Sequence, residues 1–203
     1  MPDVTQNKLH YGLKNVYYAK VTETTDPTTG EVSSSYSTPV PWIGAVSFSG
    51  DPQGSRKVTR ADDSDYFVTD PNGGYSGQLN VYQIPDDIAE FCFGEYRDDD
   101  GVAFESAKSG NTTKYIALLF QFSGDVKAIR HVFYKVSLSR NSIGSETTPE
   151  GNEPNPQTIA VSYNAVPRAD EDELVRGKAD PRTDSTRYDA WFTTVQTPVI
   201  AGG

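Results

Sequence analysis

The sequence has few of the residues on which most catalytic and metal sites depend. Its 203 residues include one cysteine, Cys92, and two histidines, His10 and His131. A single cysteine excludes a disulfide framework within the chain and a multi-cysteine zinc or iron–sulfur site. No apolar run reaches the ~18–20 residues of a membrane span, and the opening Met1-Pro2-Asp3 shows no signal peptide. We therefore expect a protein made in a reducing cytoplasm, at least at first, and no membrane partner.

The chemistry-bearing residues do not form a recognisable catalytic set. Nucleophilic catalysis needs a nucleophile, a base and an orienting group, but His131 falls on the polar face of a predicted strand and Cys92 on the apolar face of a predicted helix. No nucleophile elbow, P-loop or dinucleotide fingerprint is present. Asp98-Asp99-Asp100-Gly101 lacks the alternating ligands of a calcium loop and is interpreted as an acidic surface turn. We predict neither an enzyme nor a cofactor or metal site.

Negative charge is concentrated in one central segment. The formal net charge is -10, which argues against tight binding of nucleic acid phosphates. Residues 62–105 contain 12 acids and one base, whereas the remaining chain has 16 acids and 17 bases. This segment is either a solvated acidic face or a surface that repels a polyanion or attracts a basic partner.

The composition favours β-structure. Aromatic residues make up 11% of the chain, and 17 glycines with 13 prolines break it into short elements. Strands are predicted wherever β-branched and aromatic residues cluster between turn signals. Their ranges are 16–23, 32–40, 43–48, 56–59, 66–69, 75–84, 102–105, 113–122, 128–139 and 158–166. Turns are predicted at 25–30, 51–54 and 70–74, where proline, asparagine, aspartate and glycine cluster.

Two of these strands differ in their apolar pattern. Residues 113–122 are apolar on both faces, which predicts a central strand that is buried on both sides. Residues 128–139 alternate, with His131, Lys135 and Ser137 on the polar face, which predicts burial on one side only. The turn at Ser123-Gly124-Asp125 joins the two strands as a hairpin.

One clear helix is predicted, from Asp86 to Phe93. Acids in its first turn complement the helix dipole, and Gly94 stands at its C-terminal stop. The aromatic cluster 188–192 predicts one further helical turn. The fold class is therefore mainly β: an antiparallel β-sandwich or split barrel with one short flanking helix.

Three stretches fall outside this pattern. Residues 1–9 form a polar N-terminal arm, residues 10–179 the β domain, and residues 180–203 a C-terminal arm. The stretch 140–156 is nearly devoid of apolar residues, and a loop of that length is usually functional or disordered.

Seven short motifs, in order along residues 8–198, resemble the major tail protein of long, non-contractile phage tails, in the group common in phages and prophages of Gram-positive bacteria. They are Tyr11-Gly12-Leu13-Lys14-Asn15-Val16-Tyr17-Tyr18-Ala19, Gly44-Ala45-Val46-Ser47, Asn72-Gly73-Gly74-Tyr75-Ser76-Gly77-Gln78-Leu79 with Ile84-Pro85-Asp86-Asp87, Ala117-Leu118-Leu119-Phe120-Gln121-Phe122, Gly124-Asp125-Val126-Lys127, Arg130-His131-Val132-Phe133-Tyr134 and Tyr188-Asp189-Ala190-Trp191-Phe192. The segment Tyr75-Ser76-Gly77-Gln78 departs from the acid-bearing strand of that family, so no lumen charge is carried over to Gln78.

The resemblance implies a structural protein of the virion tail, present in the host cytoplasm during assembly. Six copies would form a ring whose strands close into one β-barrel, and stacked rings would form the tube through which DNA passes without specific binding. Its other partners would be the tape measure, tail terminator and distal tail proteins. The alternative is a β-sandwich that binds carbohydrate or a host surface, with Trp42 or Trp191 as an exposed stacking platform.

Two sets of residues are candidates for these roles. The long loop and both arms are expected to hold contacts between rings, because they lack the apolar content to fold alone. The candidate lumen-facing acids are Asp62, Asp63, Asp65, Asp98, Asp99 and Asp100, with Asp86, Asp87 and Glu90 also considered. The candidate contacts between subunits are Tyr11, Trp42, Arg140, Asn141, Glu146, Glu150, Trp191 and Phe192.

Overall fold

A computed structural model describes residues 12–61, 63–69, 71–107, 112–124, 128–145 and 156–199. Within these ranges the chain forms thirteen strands and two short helical segments. The strands are β1 (Leu13–Thr25), β2 (Val32–Tyr36), β3 (Val40–Pro41), β4 (Ala45–Pro52), β5 (Lys57–Ala61), β6 (Ser64–Thr69), β7 (Tyr75–Val81), β8 (Tyr96–Arg97), β9 (Ala103–Phe104), β10 (Ile116–Phe122), β11 (Arg130–Leu138), β12 (Ile159–Ala165) and β13 (Arg176–Ala179). The prediction of a mainly antiparallel β fold is confirmed.

Nine strands form one curled sheet in the order β2-β1-β10-β11-β12-β7-β4, with β3 beside β1 and β13 beside β11. Every pairing in this sheet is antiparallel. Strand β11 pairs with β13 along its first half and with β12 along its second half. Strand β1, next to one end of the sheet, comes close to β4 at the other end without pairing with it. The result is a sandwich of the split-barrel kind.

The interior of the curl holds the larger hydrophobic core. Trp42, Leu79, Leu118 and Val161 are each at most 2% exposed, and Phe48 stacks on Tyr163 at 5.3 Å between ring centroids. Strand β12 supplies its share by strict alternation: its odd-numbered residues 161, 163 and 165 are buried and its even-numbered ones exposed. Period-two alternation therefore produces one apolar and one polar face in this part of the sheet.

A second core lies on the outer face of β1, β10 and β11, beneath the C-terminal segment. Trp191 and Val195 pack there at 5% and 7% exposure. Because this segment covers the sheet, β11 is buried on both faces, and the prediction that only β10 would be is wrong. Lys135, expected on a solvated face, is 7% exposed and its ammonium lies 2.6 Å from a carboxylate oxygen of Glu23. The pairing explains how a lysine is tolerated there.

The predicted helix at residues 86–93 is present as one continuous helical segment, part α-helical and part π-helical. It begins as α1 (Asp86–Ile88) and continues as a π-helical turn, Ala89–Phe93. Gly94 ends it in the left-handed conformation at φ 73°, as its position predicted. A second short helix, α2 (Ser185–Asp189), runs into a 3₁₀ turn, Ala190–Phe192. No described helix has the length and apolar character to cross a membrane.

Two small hairpins stand apart from the large sheet. Strands β5 and β6 pair with each other, as do β8 and β9, and neither pair joins the nine-stranded sheet. The turn predicted at Asp51-Pro52-Gln53-Gly54 is only partly correct, because β4 continues through Pro52. The chain then runs on through β5 and β6 before β7 returns beside β4, so residues 57–69 extend the β4–β7 ribbon as a projecting arm.

Candidate functional site

Four neighbouring strands present one polar, almost uncharged face. It is formed by β4, β7, β12 and the second half of β11, on the side opposite the larger core. We call it the polar face. Its residues are Ser47, Ser49 and Asp51 of β4, Ser76, Gln78 and Asn80 of β7, Ser137 of β11, and Ala160, Ser162 and Asn164 of β12. Asp51 is the single charged residue among these ten, and none is lysine or arginine.

Side-chain hydrogen bonds connect the strands across this face. The Asn80 side-chain amide donates to Ser47 Oγ at 2.7 Å, and the Gln53 amide donates to Ser76 Oγ at 2.7 Å. The Ser137 hydroxyl donates to the Asn164 carbonyl at 3.3 Å. Short polar side chains that bond to each other hold a flat surface and leave few long flexible groups above it.

Glycines in β4 and β7 leave room for the side chain of Tyr163 on the core side of these strands. Gly50 and Gly77 are cross-strand partners, and both point toward the core side. The Tyr163 hydroxyl lies 2.4 Å from where a Gly50 Cβ would stand, and it donates to the Ser49 carbonyl at 2.8 Å. A larger residue at position 50 would displace this hydroxyl.

The projecting arm, residues 57–69, exposes apolar side chains. Phe67 is 61% exposed, and the cross-strand pair Val58 and Val68 is about 40% exposed on the other face. An isolated two-stranded hairpin is marginally stable in water, and exposed apolar clusters mark interaction sites. The smaller hairpin repeats the pattern, with Tyr96 and Phe104 stacked at 5.7 Å and both more than 40% exposed.

The structure places the candidate lumen acids on separate elements. Asp63 and Asp65 lie on the projecting arm, where Asp65 accepts a hydrogen bond from Arg60 Nε at 3.0 Å. Asp98, Asp99 and Asp100 are exposed in the turn between β8 and β9. Asp62 lies outside the described residues. The described acids of this set therefore belong to two separate hairpins.

The acids near α1 have partners within the subunit. Asp86 and Glu90 both lie within ion-pair distance of Arg97, at 2.6 and 3.5 Å. Asp87 accepts a hydrogen bond from the Tyr18 hydroxyl at 2.5 Å and pairs with Lys20 at 3.5 Å. These contacts tie the helix to β1 and β8, which accounts for the carboxylates without any channel.

The candidate contact residues divide between core and surface. Trp42 is 2% exposed and donates from Nε1 to the Gln83 carbonyl at 2.9 Å, so it can offer a neighbouring subunit almost no surface. Trp191 docks on its own sheet, and Phe192 stacks on Tyr17 at 5.0 Å. Arg140 pairs with Glu105 at 2.9 Å.

The rest of the loop and arm candidates are only partly described. Asn141 is partly buried at the start of the long loop. Tyr11, Glu146 and Glu150 lie outside the described residues, as do the N-terminal arm 1–9 and most of the loop 140–156.

The cysteine and the described histidine lie in packed surroundings. Burial raises the pKa of the Cys92 thiol to about 12, which keeps it protonated at neutral pH. His131 stacks on Phe120 at 5.2 Å between ring centroids. His10 lies outside the described residues. Among the described residues, no group of three or more acids, histidines or cysteines is arranged to hold a metal ion.

Comparison with known proteins finds no family model that matches the chain and no curated protein that resembles it significantly.

Proposed function

We propose that the protein is a tail tube subunit of a long, non-contractile phage tail. Copies assemble into hexameric rings, and stacked rings form the conduit for DNA in the virion tail. Subunits are made in the host cytoplasm and join the tape measure, tail terminator and distal tail proteins during assembly. The sequence resemblance suggests this function, and the polar face is the structural observation that supports it best.

The polar face has the properties that a wall beside moving DNA requires. Duplex DNA carries one negative charge per ~1.7 Å of its axis, and basic side chains bind it by releasing counterions. A face of hydroxyl and amide groups with one carboxylate, Asp51, and no base offers the phosphates no cation, so it lacks the contacts that hold DNA by counterion release. We infer that this face lines the channel, whereas the acids of the two hairpins lie nearer its ends or outside.

The strand count fits a channel of useful width. Six copies of a four-stranded face would make a barrel of about 24 strands, more than the 16–18 strands of porins, which already enclose water. With strands ~4.8 Å apart, its backbone circumference is about 115 Å and its diameter about 37 Å before any tilt. That diameter leaves room for a DNA duplex inside the side chains.

The free strand edges also favour assembly. At one end of the large sheet β4 pairs only with β7, and at the other end β2 pairs only with β1, among the described strands. Unpaired edges invite pairing with other chains, and closing a barrel removes them. A carbohydrate-binding role has less support, because Trp42 and Trp191 are buried at 2% and 5% exposure and neither provides a stacking platform.

Electron microscopy of the purified protein tests this function. We expect negatively stained rings with a central hole, or tubes built from them, increasing in number with protein concentration. Sedimentation velocity on the same samples should show discrete species at multiples of the monomer mass, with the hexamer prominent. Particles that are solid, or that have no rotational symmetry, would contradict the proposal.

A further inference from the structure

A groove of about 580 Å³ lies beside β2. One wall is the end of the β1–β2 turn and the start of β2, residues 30–34. The other wall is the loop between β12 and β13, residues 168–173. The groove lies outside the polar face and the projecting arm.

The lining of the groove includes a buried ion pair. The side chains of Arg168 and Asp170 are 8% and 9% exposed and are ion-paired with each other. One atom of each, Arg168 Nη1 and Asp170 Oδ1, has no hydrogen-bond partner among the described residues, and neither has Ser34 Oγ. Each of these atoms has less than 1 Å² of accessible surface, so a partner in the groove would contact its rim and the backbone of β2, not these atoms.

The backbone of β2 has N–H and C=O groups without strand partners at its outer edge. The Asp26 amide donates to the Glu31 carbonyl, and the Ser37 amide donates to the Lys20 carbonyl. These two bonds fix which residues of β2 face β1. In an antiparallel ladder, alternate residues turn their N–H and C=O groups outward. Val32 and Ser34 are such residues, and no described strand pairs with this edge. An extended chain would fit it by adding a strand.

The rim of the groove is acidic. Glu31 stands on one side, and Glu171, Asp172 and Glu173 stand on the other, all of them exposed. A strand that docks here must therefore be basic to avoid placing like charges together.

The projecting arm contains a strand of that description. Residues 56–60, Arg56-Lys57-Val58-Thr59-Arg60, hold three bases and no acid. Strand β5 pairs with β6 alone among the described strands, so its outer edge is open. Arg60 is 74% exposed. Within one copy β5 and β2 are not paired.

We propose that the groove beside β2 receives strand β5 from the projecting arm of a second copy. The backbone of β5 pairs with the edge of β2, and Arg56 and Arg60 at its two ends meet the acidic rim. The two surfaces are different, so the contact is head-to-tail and either closes a ring or continues along a stack. This inference rests on the proposed function, because it assigns one contact of the assembly.

Charge reversal on each side tests the contact. Variant A carries Arg56→Glu and Lys57→Glu on the arm, and variant B carries Glu171→Arg and Asp172→Arg on the rim. A control carries Lys178→Glu and Arg182→Glu, which make the same charge change as A on exposed bases elsewhere. Melting curves verify that each variant folds, and sedimentation velocity in low salt measures the assembled fraction.

We expect A and B alone to lose assembly by about tenfold or more, since each places like charges opposite one another across the contact. An equal mixture of A and B should recover it, because the acidic strand of A then meets the basic groove of B and the native pair meets in the other direction. The control should assemble like the wild type.

The outcomes separate this contact from the tube proposal. Normal rings or tubes from A and B alone would overturn the contact and leave the proposed function standing. Assemblies that respond to the charge swap but are not hollow would support the contact and overturn the tube. A mixture that fails to recover, or a wild-type chain that stays monomeric at every concentration, would also overturn the contact.

Discussion

At the scale of single residues, aromatic side chains form many of the tertiary contacts of this chain. The high aromatic content predicts that these side chains are important, but which residues they contact depends on how distant segments pack. Trp191, in the C-terminal segment, packs on the sheet and donates from Nε1 to the His131 carbonyl at 3.3 Å. Beside it, the Arg130 guanidinium lies 3.8 Å from the ring centre of Tyr188, a distance typical of a cation–π contact.

Truncating Trp191 should therefore destabilise the subunit itself. We expect Trp191→Ala to lower the free energy of unfolding by about 3–5 kcal/mol, the usual loss for a large aromatic removed from a core. Chemical denaturation of the monomer measures it. Val199→Ala, at a side chain that is 75% exposed, is the control and should change little. A loss below about 1 kcal/mol for Trp191→Ala would show that the second core contributes little.

At the scale of elements, local patterns predicted what lies within one strand or turn. The helix at 86–93, its stop at Gly94 and the two-sided burial of β10 all follow from residues close together in sequence. The burial of Lys135 and the outer face of β11 could not be predicted this way. The outer face of β11 depends on a segment more than 50 residues later, which has no periodic signal and which the sequence predicts as an arm. The burial of Lys135 depends on Glu23 and Tyr115, which lie on other segments.

The projecting arm also illustrates this limit. Alternation and turn residues predicted strands near β5 and β6, but not that these strands would leave the large sheet. Its separation has a consequence for stability: because β5 and β6 pair only with each other, the main fold does not depend on them.

Replacing residues 57–69 with an Asn-Gly turn should thus leave a folded subunit that does not assemble. The shortened ribbon still has β4 paired with β7, and Asn-Gly suits a two-residue hairpin. Circular dichroism and the melting temperature should remain close to those of the wild type, whereas rings and tubes should be lost. Phe67→Ser, which keeps the arm, should weaken assembly to an intermediate degree. Normal tubes from the shortened chain would show that the arm is dispensable.

At the scale of the whole molecule, the proposed channel wall is a different part of the chain from the one that the charge distribution of the sequence suggests. The acidic excess of residues 62–105 suggested that carboxylates line the channel. The structure distributes the described acids of that segment over hairpins and the start of α1, and it presents a nearly uncharged face on four strands. That face was hidden from sequence reasoning because single serines, asparagines and glutamines alternating with apolar residues are typical of any solvated strand. Only the pairing of four such strands shows their extent.

A channel wall of this kind predicts a specific effect of added positive charge. Gln78→Lys with Ser162→Lys, at cross-strand partners on the polar face, should leave assembly intact but make tubes retain DNA. Co-sedimentation of tubes with short linear duplexes should increase at low salt and fall as salt rises. Thr24→Lys with Thr28→Lys, at exposed positions on β1 and the turn after it, adds the same charge away from the polar face; this control should retain less. Equal retention by the two variants would indicate that the polar face is not inside the tube.

The most direct test of the central claim is a reconstruction of the assembled protein by electron cryomicroscopy. We predict a six-fold tube in which β4, β7, β12 and the second half of β11 from every subunit form a continuous barrel. Gln78 and Ser162 should face the axis, with the buried Trp191 away from it. An assembly without a central channel, or a channel lined by another surface of the subunit, would contradict this account.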